Sequence, residues 1–142
     1  MTFTPLIELT RGGTTECVHF GAVAVVNLQG QLLASAGNPH WPTFSRSTLK
    51  AFQALPLVQS GSAKALGYSQ RQLAMLCASH NGEAMHVAEV SDMLDKAGVT
   101  YKQLQCGCHV PMFVEMGLGP APQQFDERHH NCSGKHAGFL GY

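Results

Sequence analysis

Between Asn38 and Pro42 the chain changes character, and that change constrains its architecture more than any other feature. Before it, Leu6 to Thr10, Gly21-Ala-Val-Ala-Val-Val26 and Gln31-Leu-Leu-Ala-Ser35 are short runs rich in β-branched and apolar residues. Asn27-Leu-Gln-Gly30 supplies a turn between the last two, so a β-hairpin is expected there. After the Pro-rich break, the spacing of apolar residues turns helical. The first third thus reads as β and the remainder as mainly helical. The 142 residues are one domain's worth, enough to enclose a core.

Within the helical part, Ser47 or a near neighbour is expected to cap a helix through Phe52 to Ala54, and Pro56 predicts a break or a new start. Ser69 opens a segment over Gln70 to Ala78, with Leu73, Met75, Leu76 and Cys77 suited to burial. A longer helix is expected from Gly82 to Lys96, closed by Gly98, with Met85, Ala88, Val90, Met93 and Leu94 inward. Cys106 to Pro122 reads as loop. Lys135-His-Ala-Gly-Phe-Leu-Gly-Tyr142 starts as an apolar helix and stops, whereas domain ends are usually polar. The expectation is that residues 1–142 are the N-terminal part of a single domain, truncated at its C-terminus.

Charge removes whole classes of partner. Nine basic and nine acidic side chains cancel, with no block that would neutralise phosphates or hold an anionic membrane. Met1-Thr-Phe-Thr-Pro5 has no charged n-region before an apolar run, and no later run approaches spanning length. These features predict a soluble, cytoplasmic protein that binds neither nucleic acid nor membrane. Five scattered cysteines fit reduced thiols better than a disulfide framework.

Three segments can carry chemistry. Ser47 and Lys50 have the spacing Ser-x-x-Lys, which on a helix puts both on one face, where a neutral lysine can serve as base for the serine. A capping serine followed by a solvated lysine gives the same spacing. Cys77-Ala-Ser-His-Asn-Gly-Glu83 sets a hydroxyl, an imidazole and a carboxylate at a helix exit, and it is equally an ordinary helix end before Glu83 starts the next. Cys106-Gly-Cys-His-Val-Pro111 and His129-His-Asn-Cys-Ser-Gly-Lys-His136 are dense in thiols and imidazoles. Together they could assemble a tetrahedral zinc site, although neither has paired Cys-x-x-Cys spacing and buried free cysteines are the commoner outcome.

In sequence order, Glu8-Leu-Thr-Arg-Gly-Gly13, Glu16, His19, Gly21 to Val26, Arg46-Ser-Thr-Leu-Lys50, Phe52-Gln-Ala-Leu-Pro56, Cys77-Ala-Ser-His80, Gly82-Glu83, Cys106-Gly107, His109, Pro111 and Asn131-Cys-Ser-Gly-Lys-His-Ala-Gly138 resemble the asparaginase II family, the rhizobial type. The resemblance implies an α+β fold like that of serine β-lactamases and glutaminases, an antiparallel sheet packed with helices, incomplete in these 142 residues. It implies two serine-lysine pairs, the first Ser47 with Lys50, the second Ser79 with a lysine beyond Tyr142. It also implies zinc held by Cys132, Lys135 and a further cysteine beyond the same point, and a homodimer. The reaction implied is hydrolysis of the L-asparagine side-chain amide to L-aspartate and ammonia. Ser47 attacks, Lys50 is its base, backbone donors hold the oxyanion, Arg46 and Asn131 attend the substrate, and His80 with Ser79 organises either the second dyad or the substrate. The isolated 142 residues are expected to be inactive. Two rival readings are another amidohydrolase on the same scaffold, a glutaminase or a β-lactam-recognising protein, and a silent truncated paralogue that binds zinc or a partner.

Overall fold

A computed structural model describes residues 3–142. Met1 and Thr2, part of the segment read above for a leader, lie outside the described residues. The chain is α+β and divides into two compact units, Met1–Phe44 and Ser45–Tyr142.

The first unit holds two antiparallel hairpins. In one, β1 (Thr4–Arg11) pairs with β2 (Thr14–Gly21). Gly12 and Gly13 join them with φ of 57° and 83°, the left-handed pair that a tight hairpin turn demands. In the other, β3 (Val23–Val26) pairs with β4 (Leu32–Ala36). Its turn is closed by Asn27, whose Oδ1 accepts from the N–H groups of Gln29 at 3.0 Å and Gln31 at 2.9 Å. The expected second hairpin is present, but Gly21 ends β2 instead of opening β3, and β2 was not anticipated. Its alternation is blurred by Thr14, Thr15 and Cys17, while the Gly-Gly turn before it was the available signal. The strands leave Ile7 59 % and Phe20 61 % exposed, so these hairpins enclose no core of their own among the described residues.

The second unit is helical. A 3-10 turn over Arg46–Leu49 leads into α1 (Lys50–Gln59), followed by α2 (Ser62–Ala65), α3 (Gln70–Cys77), α4 (Ala84–Lys96), α5 (Met112–Glu115) and α6 (Ser133–Leu140). No side chain caps α1, because Ser47 lies inside the 3-10 turn that precedes it. Nor does Pro56 break α1. A proline in a helix interior costs about 3 kcal/mol. Here Phe52, whose carbonyl loses its donor, lies on the exposed side, while neighbouring Leu57 enters the core at 3 % exposure.

Helix α3 starts on a capping box: Ser69 Oγ accepts from the Gln72 N–H, and Gln72 Oε1 accepts from the Ser69 N–H. Met75 and Leu76 are buried as expected, but Cys77 is exposed and Gln72 is buried in its place. Helix α4 ends as anticipated at Gly98, with φ 68° and the paired bonds Gly98 N–H to Asp95 and Val99 N–H to Leu94. Val90, Met93 and Leu94 form its inner face, whereas Met85 and Ala88 face solvent. At 100° per residue those two positions fall about 140° or more from Val90, outside one apolar stripe.

The core joins Leu57, Met75, Leu76, Val90, Met93, Leu94 and Ala137. Helix α6 approaches α3 through Gly134 and Gly138, four residues apart and so on one face. A Cβ on Gly134 would sit 2.6 Å from the Met75 carbonyl oxygen. This close approach brings the start of α6 beside the segment that leaves α3. No helix among the described residues is long and apolar enough to cross a membrane.

Candidate active site

The segment leaving α3, Ala78 to Glu83, meets the start of α1. Lys50 is the first residue of α1 and only 2 % exposed. Its Nζ donates to the Ala78 carbonyl at 2.6 Å and to Ser79 Oγ at 2.7 Å. Ser79 Oγ in turn lies 2.9 Å from Ser47 Oγ. The first serine and its lysine are therefore linked through Ser79 and not directly. Both serines are exposed and the lysine lies beneath them. Among the described residues no carboxylate pairs with Lys50. A serine pair open to solvent above a buried amine is suited to nucleophilic attack with proton transfer inward.

Arg46 sets the entry to this turn. Its φ of 52° makes it the one non-glycine residue with positive φ among the described residues. Such a conformation costs of order 1 kcal/mol or more and concentrates at functional sites. It fixes the direction in which Ser47 leaves the chain.

His80 is 4 % exposed, with both ring nitrogens engaged. Nδ1 accepts from the Gly82 N–H at 3.1 Å and Nε2 lies 2.8 Å from Ser133 Oγ. Burial, helped by neighbouring His86 and Lys50, lowers its pKa to about 4. The His80 backbone N–H donates to the Asn131 carbonyl at 3.1 Å, which ties the segment to the stretch before α6.

The two thiol and imidazole clusters run side by side. Cys106 Sγ donates to the Glu127 carbonyl and Cys108 Sγ to that of Phe125, both at 3.6 Å, and the His109 and His130 rings meet at 4.6 Å. Burial pushes the Cys106 and Cys108 thiols above their ordinary pKa. Among the described residues no group of three or more His, Cys, Asp and Glu converges as a metal site. Cys132 caps α6 and Lys135 stands in its first turn, with Nζ 5.7 Å from the centre of the Phe139 ring. Residues so spaced share a helix face. A thiolate is a usual zinc ligand, whereas a lysine amine can donate only after losing its proton.

Several contributors were not foreseen. Ser133 is fully buried between His80 and the Arg128 carbonyl, to which its Oγ donates at 2.7 Å. Arg128 is held by Asp126 through Nε and Nη2, and stacks 4.7 Å above the Tyr101 ring. The Gly134/Gly138 pair, four apart, was the readable sign of a close helix contact.

A comparison with curated proteins finds no match. The family model of L-asparaginase II matches residues 7–142, and the chain belongs to that family. At the level of the family the activity is that of an amidohydrolase acting on L-asparagine.

Proposed function

We propose that this protein hydrolyses the side-chain amide of L-asparagine to L-aspartate and ammonia through Ser47. The observation that supports this most directly is the unbroken chain Ser47 Oγ, Ser79 Oγ, Lys50 Nζ, with steps of 2.9 and 2.7 Å. Ser47 Oγ attacks the carboxamide carbon, while its proton passes to Ser79 and the Ser79 proton passes to the lone pair of Lys50 Nζ, a step that requires the amine to accept from Ser79 Oγ instead of donating to it. The tetrahedral adduct collapses as the same chain returns a proton to the departing nitrogen, leaving ammonia and a Ser47 ester. Water then attacks the ester with the relay again accepting its proton, and that proton passes to Ser47 Oγ as the Oγ–C bond breaks and aspartate leaves. The Arg46 guanidinium and the Asn131 amide attend the carboxylate and amide ends of the substrate.

Cys132 and Lys135 are the residues that would hold zinc, which when bound supplies positive charge for orienting an anionic substrate group. The same reading carries a fold like that of serine β-lactamases, a homodimer and a cytoplasmic location.

A second reading is favoured by the direct Lys50 to Ser79 bond: Ser79 as nucleophile. Ammonia release from asparagine, glutamine and a β-lactam panel, followed for Ser47→Ala, Lys50→Ala and their double variant in the full-length gene product, tests the proposal. Each single change should lower asparagine turnover by several orders of magnitude, and the double change should be no worse, because the groups act as one unit. Mass spectrometry of a trapped ester locates the nucleophile. A Ser47→Ala protein that keeps most activity, or an ester on Ser79, overturns the assignment to Ser47; preferred cleavage of glutamine overturns the substrate.

A further inference from the structure

Ser79 sits in a six-residue stretch, Ala78 to Glu83, between α3 and α4, where no helical ladder fixes it. Its hydroxyl must nonetheless stay within hydrogen-bond reach of both Ser47 and Lys50. The neighbouring residue supplies the anchor. A backbone N–H can only donate, so the Gly82 N–H requires a lone pair on His80 Nδ1, and the neutral imidazole must carry its proton on Nε2. Ser133 Oγ spends its own proton on the Arg128 carbonyl and is free to accept from that Nε2–H. Every group along Gly82, His80, Ser133 and Arg128 is thus in one defined donor or acceptor state. A charged imidazole would place an N–H against the Gly82 N–H.

Around this strut the backbone is pinned on both sides. The His80 N–H bonds the Asn131 carbonyl at 3.1 Å, and the Phe113 N–H bonds the Asn81 carbonyl at 3.2 Å. Gly82, with φ 78°, leaves no room for a side chain, since a Cβ there would lie 2.7 Å from the His129 carbonyl oxygen. The His80 ring packs on His86 with centroids 5.2 Å apart.

We infer that His80 is a positioning residue, a neutral imidazole locked as the Nε2–H tautomer between Gly82 and Ser133, which holds Ser79 at the junction of Ser47 and Lys50 and neither contacts substrate nor exchanges protons with it. This rests on the serine-lysine reading above and deepens it. Its buried ring, with both nitrogens committed inside the protein, is what separates this role from substrate binding. Misplacement of a relay hydroxyl by about 1 Å costs on the order of 100-fold in rate without weakening substrate binding.

The test compares His80→Ala, His80→Gln and Ser133→Ala in the full-length gene product. It adds long-range ¹H–¹⁵N spectra of the imidazoles in the unaltered protein, with Ser47→Ala as control. The expected result is a drop of about 100-fold in kcat for His80→Ala with KM little changed. His80→Gln, whose amide can still donate to Ser133, should recover most of that loss, and Ser133→Ala should not multiply the effect of His80→Ala. The spectra should show His80 neutral and protonated on Nε2 at pH 6. A rise in KM with kcat intact, an unchanged kcat in His80→Ala, or an Nδ1–H or charged His80 would each overturn the inference. If the spectra are as expected but Ser47→Ala remains active, the serine-lysine reading has failed and with it the positioning role, while the strut stands as structure alone.

Discussion

Replacing Gly134 by alanine sets two effects of opposite sign against each other. Alanine is favoured over glycine inside a helix by about 1 kcal/mol, and Gly134 is the second residue of α6. Against that gain stands the added Cβ, which would lie 2.6 Å from the Met75 carbonyl oxygen and 3.1 Å from its carbonyl carbon. Those are backbone atoms of a buried turn of α3, so relief requires α6 to move by several tenths of an ångström. Overpacking of this kind costs roughly 1–3 kcal/mol. The balance is a net loss of about 0–2 kcal/mol. Gly138→Ala should cost less, because its closest neighbour, Leu76 Cδ2, is the end of a side chain that can change rotamer. Urea unfolding should therefore place Gly134→Ala below Gly138→Ala, with unchanged slope. Because Ser133 adjoins Gly134, turnover should fall with stability. A Gly134→Ala protein about 1 kcal/mol more stable than its parent would show that helix propensity, not close approach, governs this contact.

Lowering the pH should weaken the fold through His80. Its folded pKa of about 4 lies below the ordinary 6.5, so between those values the unfolded chain takes up a proton that the folded protein refuses. Stability should be fully present above pH 6.5 and fall by on the order of 3 kcal/mol towards pH 4, a slope that His80→Gln should flatten when urea midpoints are compared at pH 7 and 4.5. His130 and His136, also lowered chiefly by burial, add to the wild-type slope in the same direction. Cys132→Ala should reduce zinc retained after dialysis far more than Cys17→Ala, since Cys17 lies exposed on β2; equal zinc in the two removes the metal from the proposal. Ser69→Ala should cost about 1 kcal/mol by opening the cap of α3, read from the urea midpoint.

The order of strands and helices could be read from the sequence because local signals there agreed with tertiary packing. Gly98 illustrates this: a left-handed residue is needed after Lys96, and glycine supplies it. The errors occur where packing outweighed the local signal. Pro56 argues for a break only if α1 is considered alone; with Leu57 anchored beneath it, the helix runs on. Cys77 looks more apolar than Gln72, yet Gln72 is the buried one, because its amide completes the capping box and reaches Asp92 and Lys96 on α4. A polar residue whose hydrogen bonds are met by a neighbouring helix is as buriable as an apolar one, and its partners lie about twenty residues away.

At the candidate site the same limit appears in sharper form. The spacing of Ser47 and Lys50 suggests a direct contact, but a shared face does not fix where a long side chain ends, and Lys50 Nζ turns to the Ala78 carbonyl and Ser79 Oγ instead. Ser79, 32 positions from Ser47, closes the gap. It can do so because α6 presses against α3 at Gly134, which brings Ser133 under His80 and so settles where the residue before His80 must lie. Residue types thus marked which groups could react, while the proposed route of the proton depends on two glycines and a buried serine that carry no reactive chemistry themselves.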